Sequence, residues 1–99
     1  SAPIRRRVQA CRALQLARQG VLNAALHGQA LETHARADAA ARATLRQAIE
    51  RWDWSARAAQ RVLRVARTVA DLAQRQAVEP SDIAQAIQFR QDASASEHR

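Results

Sequence analysis

The strongest constraint on the fold is the stretch 56–76. Ala59, Val62, Leu63, Ala66, Val69, Ala70 and Ala73 recur there at intervals of three and four residues. At 100° per residue these positions share one side of a helix, while Arg57, Arg61, Arg64, Asp71 and Arg75 fall within about 80° on the other. A strand would need period-two alternation, and a loop would need breakers. Ser55 stands just before the stretch as its cap, with the turn Asp53-Trp54 ahead of it. Asp71 lies four residues from both Arg67 and Arg75, so a helix-surface ion pair is expected.

The same period continues elsewhere. A helix over 3–19 accepts Pro3 in its first turn and carries Ile4, Val8, Cys11, Leu14 and Gln15 on one stripe, with Gly20 as its stop. Gln15 is the polar member of that stripe and is expected to bond a buried backbone group. Residues 20–28 form a connection containing Asn23, with Leu22 and Leu26 pinning it to the core. The pattern allows a short helix over 29–36. Asp38 caps a helix to about Trp52 whose inner face is Ala41, Leu45, Ala48, Ile49 and Trp52. Trp54 reads either as the edge of the core or as an exposed docking anchor. After the break at 77–80, Pro80 and Asp82 suit a last helix that ends near Arg90, with Ile83, Ala86 and Ile87 inward. The predicted fold is all-α, a small bundle of four main helices with room for one extra short helix. The domain spans 1–90, followed by a polar disordered tail, 91–99.

Composition supports this reading. Only two Gly and two Pro interrupt the chain, and aromatic residues make up 3%. Ala has the best intrinsic helix propensity, so little opposes helix formation. Ninety-nine residues suit one domain with one core. The net charge of +7 raises a nucleic-acid reading, yet all the Lys/Arg charge is Arg. A GC-rich coding bias would place Arg wherever another protein has Lys, so a basic solvated face accounts for the charge equally well. The single Cys11 cannot form an internal disulfide, and no apolar run approaches a membrane span. A soluble, cytoplasmic protein is expected.

Catalytic and metal motifs are missing. Neither glycine belongs to a phosphate loop, and His27, His34 and His98 lack zinc-site spacing. Ser55 and Ser81 have no histidine placed to activate them. Cys11, between Val8 and Leu14 on the apolar stripe, reads as a small buried hydrophobe. No metal site is expected, and the fragment alone is not expected to be an enzyme.

Three blocks carry a family resemblance. The helix from Ser55 to Leu72 (SARAAQRVLRVARTVADL) closely resembles the signature helix of the magnesium-chelatase-like AAA+ ATPases of the YifB/ComM competence family. The opening block Ile4 to Arg18 is similar to that family's R-x-R-V-x-x-A-R-x-x-Q-x-x-R helix, with Cys11 at the usual alanine position and Asn23 following at the expected distance. Asp82 to Arg90 resembles the closing helix. Trp52 and Trp54 depart from the pattern, standing where smaller or aliphatic residues are common.

The resemblance implies a C-terminal lid subdomain that closes over one side of bound ATP. The nucleotide-binding loop, the acidic Mg²⁺ residue and the arginine finger would lie upstream of Ser1. It implies ATP with Mg²⁺ as the parent protein's cofactor, held mainly by that core, and none for the isolated fragment. The implied partners are the upstream AAA+ core, neighbouring subunits of a homo-oligomeric ring and, for the parent, DNA, in a competence or branch-migration-type motor. Arg57, two residues after the cap, matches the sensor-2 position. A guanidinium there stays charged and grips phosphate oxygens bidentately. Arg61 and Arg64 share its face and are candidates for contact with nucleotide, core or neighbouring subunit. Two alternatives stand beside the lid: a standalone basic DNA-binding module using Arg57, Arg61 and Arg64, and the lid of a true magnesium-chelatase ATPase subunit.

Overall fold

A computed structural model describes the backbone of residues 2–97 and the side chains of residues 2–91. Five α-helices form it: α1 (Ala2–Gln19), α2 (Gly28–Ala35), α3 (Ala39–Trp52), α4 (Ala56–Leu72) and α5 (Pro80–Glu97), with a 3₁₀ turn at Asn23–Ala25. No strand occurs among the described residues. The expected all-α bundle of four main helices and one short one is the observed architecture.

Local signals set the helix ends. The Asp38 carboxylate accepts from the Ala41 amide at 2.7 Å, and Ser55 Oγ accepts from the Ala58 amide at 3.1 Å. Each satisfies one of the orphan donors of a first turn. At the start of α5, Asp82 Oδ2 accepts from the Glu79 amide at 2.8 Å. Gly20 closes α1 at φ +78, where a residue without Cβ carries no penalty.

Helix α4 lies at the centre and packs against all the other elements. Its Val62, Leu63, Ala66 and Ala70 meet Leu26, Leu31 and Ala35 from one side and Ile83 and Ala86 of α5 from another, with Ala41 and Val78 completing the core. Small side chains on α4 let its neighbours approach closely. The two connections flanking the core are stitched together by a short parallel bridge. Asp38 donates its amide to Val78 O at 3.0 Å, and Val78 donates to Arg36 O at 2.9 Å.

Several expectations are corrected. Helix α4 ends at Leu72 rather than residue 76, so Ala73 is exposed. Gln74 turns left-handed at φ +59, donating to Asp71 O while Arg75 donates to Ala70 O. That paired pattern is a Schellman closure, which the sequence does not announce because Gln replaces the usual glycine. The α1 stripe is only partly inward: Cys11 and Gln15 are buried, but Ile4, Val8 and Leu14 are 63%, 45% and 45% exposed. Arg18 and Arg7 bond residues of α4, and no described element covers the outer apolar positions. Trp52, expected in the core, is 41% exposed. It falls on the last residue of α3, past the end of the core, and stacks on Trp54 at 5.5 Å. Trp54 packs on the core edge. Helix α5 continues past Arg90 to Glu97, since 91–97 holds no Gly or Pro and includes Ala93 and Ala95. The rest of the expected tail, with His98, lies outside the described residues.

Candidate functional site

The sensor-2 candidate sits on the first turn of α4. With Ser55 as the cap, Ala56 and Arg57 are the first two helical residues, and Arg57 is exposed. Its guanidinium makes no hydrogen bond or ion pair among the described residues. Arg61, one turn on, is likewise exposed and unpaired among them. Arg64 differs. It is half-buried, donating to Leu26 O at 3.2 Å and lying 3.4 Å from His27 Nδ1, which fixes it against the connection before α2. The structure therefore presents two free cations and one tethered cation along one face. The start of α4 adds a positive dipole end beside Arg57.

The second concentration of charge is buried, and the sequence reading placed it wrongly. Asp71 is not a surface partner. It is 2% exposed and Arg67 is fully buried. Asp71 Oδ1 accepts from Arg18 Nη1 at 2.8 Å and Arg67 Nε at 3.1 Å, and Oδ2 accepts from Asn23 Nδ2 at 2.8 Å. Asn23 is itself held on every side. Its amide donates to Gln15 Oε1 at 2.9 Å, and its Oδ1 accepts from Arg18 and Gln19 at 3.0 and 2.8 Å. The expected backbone role of Gln15 is thus observed. Arg67 donates to Ala35 O, Gln76 O and Arg75 O at 2.9, 2.7 and 2.7 Å, tying the end of α2 to the connection after α4.

Burial by itself would raise the Asp71 carboxyl. Hydrogen bonds from Arg18 and Asn23, with the charges of Arg67 and Arg18, hold it below the ordinary carboxylate range. Burial pushes the Arg67 guanidinium below its usual value, with Asp71 opposing the shift. The Cys11 thiol is raised, first by burial, and its sulfur accepts from Gln15 Nε2 at 3.1 Å. A neutral thiol inside a helix pair fits a packing role better than nucleophilic chemistry. A second charged knot closes the other side of the connection after α4: Arg75 pairs with the buried Asp82 and lies 3.5 Å from Glu79.

One signal for the buried network was present in the chain. Gln15 and Arg18 from the opening family-like block, Asn23 just after it, and Arg67, Thr68 and Asp71 from the Ser55–Leu72 block are the residues that meet in space. Polar positions shared by two separated motifs point to a mutual contact as readily as to a ligand. Among the described residues, no group of three His, Cys, Asp or Glu could hold a metal ion, and no helix is long and apolar enough to cross a membrane.

This arrangement defines an all-helical domain that displays unpaired arginines at a capped helix start and spends its buried charges on its own integrity. Over residues 1–90 the chain matches the family described as Magnesium chelatase, subunit ChlI C-terminal, and it belongs to that family. It is the C-terminal domain of a magnesium-chelatase-like AAA+ protein. No curated protein and no solved structure matches the chain.

Proposed function

We propose that this domain is the lid of an AAA+ ATPase, closing over ATP and Mg²⁺ held by a preceding core, with Arg57 as sensor 2. The observation that carries the reading is the unpaired, exposed guanidinium of Arg57 on the first turn of a Ser-capped helix, in a member of this family. Among the described residues nothing competes for that side chain. A permanently charged, planar donor can grip phosphate oxygens, stabilise charge as the terminal phosphate is transferred, and couple lid angle to nucleotide state. Arg61, on the same face, meets nucleotide or a neighbouring subunit, while tethered Arg64 steadies the face. Among the described residues no acidic cluster could hold the metal, which the core would hold.

The exposed apolar pair Ile4 and Val8, one turn apart on α1, is the surface we assign to contact with that core, because uncovered apolar side chains on one side of a helix mark an interface. On the resemblance of its three sequence blocks, we place the parent among the competence-type, ring-forming DNA-processing motors of the cytoplasm. The family's description favours one other reading, the lid of a true chelatase ATPase subunit; neighbouring tetrapyrrole genes would point to it.

The test is Arg57→Ala in the protein that carries both this domain and its nucleotide-binding core. Severe loss of ATP hydrolysis with the helical domain still folded is expected. Hydrolysis at the unaltered rate would remove Arg57 from the site.

A further inference from the structure

A cleft of about 720 Å³ opens between α1 and the end of α4. At 1.5 Å per residue, Asp71 on its wall lies about 21 Å along α4 from Arg57, so this cleft is separate from the proposed nucleotide contact. Its floor includes Ala10, Cys11, Leu14 and Leu72, and Arg6, Arg7, Arg18, Arg36 and Arg75 also line it. The volume falls within the roughly 300–1,000 Å³ of small-molecule sites.

The state of those arginines makes the cleft more than a solvated groove. Arg18 is committed to Asp71 and Asn23. Arg75 is paired with Asp82 and Glu79, yet its enclosed Nε makes no hydrogen bond. Arg7 makes only a long 3.4 Å bond to Leu72 O. Arg6 and Arg36 are exposed and have no partner among the described residues. Behind the wall, Arg67 adds a buried cation. Six arginines thus face three carboxylates, Asp71, Glu79 and Asp82. The uncompensated charge gathers on the cleft side, at Arg6, Arg7 and Arg36.

We propose that this cleft is an anion site for phosphate esters, gripped by Arg6, Arg7 and Arg36. A single carboxylate offers one charge to three guanidiniums. A terminal phosphate carries about −1.5 to −2 charge and three acceptor oxygens, and a run of phosphodiesters supplies several charges in a row. The source is either a free polyphosphate group or a polynucleotide backbone, and the chemistry of recognition is the same.

The experiment uses the 99-residue chain with three probes: inorganic tripolyphosphate, a fluorescein-labelled single-stranded oligonucleotide, and poly-glutamate. Binding is followed by calorimetry or anisotropy from about 50 mM salt upward. Arg6→Gln combined with Arg36→Asn, an exchange that tolerates the left-handed backbone at residue 36, is compared with Arg5→Gln/Arg12→Gln. The second pair removes the same charge from the other face of α1. The cleft variant is expected to weaken phosphate binding about tenfold and to lower the oligonucleotide salt slope by about two, while the control pair changes neither. Tripolyphosphate binding well by itself identifies a free phosphate group as the source; affinity that rises with oligonucleotide length identifies a backbone. Three results overturn the proposal: no phosphate probe binds, both pairs lose affinity equally, or poly-glutamate binds as tightly as the phosphates. The side chains of Arg6 and Arg36 bond nothing described, and the Arg36 carbonyl that accepts from Val78 is kept in the variants, so they should keep the parent's circular dichroism, and Arg6→Glu deepens the loss without touching the fold.

Discussion

Removing the charge of Asp71 while keeping its shape tests whether the buried network is what holds α1 to α4. In Asp71→Asn the carboxylate that accepts from Arg18, Arg67 and Asn23 becomes a neutral amide, and one of its atoms turns donor toward donors. Arg67, fully buried, then keeps its charge with no anion beside it. Breaking a buried pair from one side destabilises by about 3–5 kcal/mol. Three backbone carbonyls still bond the Arg67 guanidinium, so the lower figure, about 3 kcal/mol, applies here. Domains of this size are stable by roughly 5–15 kcal/mol and lose about 4–8 °C of melting temperature per kcal/mol, so Tm should fall by roughly 12–24 °C. Urea unfolding followed by far-ultraviolet circular dichroism measures the change, with the exposed Asp53→Asn as control. Replacing both partners, Arg67→Met with Asp71→Leu, should recover part of the loss but not all, because the carbonyls of Ala35, Arg75 and Gln76 lose their donor. A loss below about 1 kcal/mol for Asp71→Asn would mean the pair behaves as a solvent-screened surface bridge, and the reasoning would be wrong.

Other outcomes follow from the same geometry. The lowered Asp71 carboxyl contributes stability that is present above the unfolded carboxylate value of about 4 and is lost as pH falls through the folded value. Acid titration should therefore destabilise the parent below about pH 4 and do so less steeply in Asp71→Asn. Trp52→Ala removes a ring that is 41% exposed and stacked on Trp54. A loss of about 0.5–1.5 kcal/mol is expected, against about 3–5 kcal/mol had the residue been core, and urea unfolding distinguishes the two. Ser55→Ala removes the Oγ that caps α4 at the Ala58 amide and should cost about 1 kcal/mol. Faster amide hydrogen exchange should be confined to the first turn, where Arg57 sits.

Much of this molecule was readable along the chain because its signals are local. Caps at Asp38 and Ser55, Pro80 at the start of α5 and Gly20 at the end of α1 act through the nearest few amides, and no distant partner can change that. The period of α4 likewise fixed which side of it carries Val62, Leu63 and Ala66, and with it the exposed face of Arg57 and Arg61. Helical spacing says which residues share a side; it does not say what stands opposite. Arg67 and Asp71 looked like a solvated pair because long-range partners are invisible at a spacing of four. Only the docking of α1, the Asn23 turn and the end of α2 onto α4 supplied the Arg18, Asn23 and Ala35 carbonyl partners that let these charges be buried. By the same logic Ile4, Val8 and Leu14 look like core by type, yet remain 45% exposed or more. Helix identity and its boundaries came largely from nearest-neighbour chemistry. Burial, and therefore which charges are structural and which are free to act, was decided by the neighbours that tertiary packing brought together.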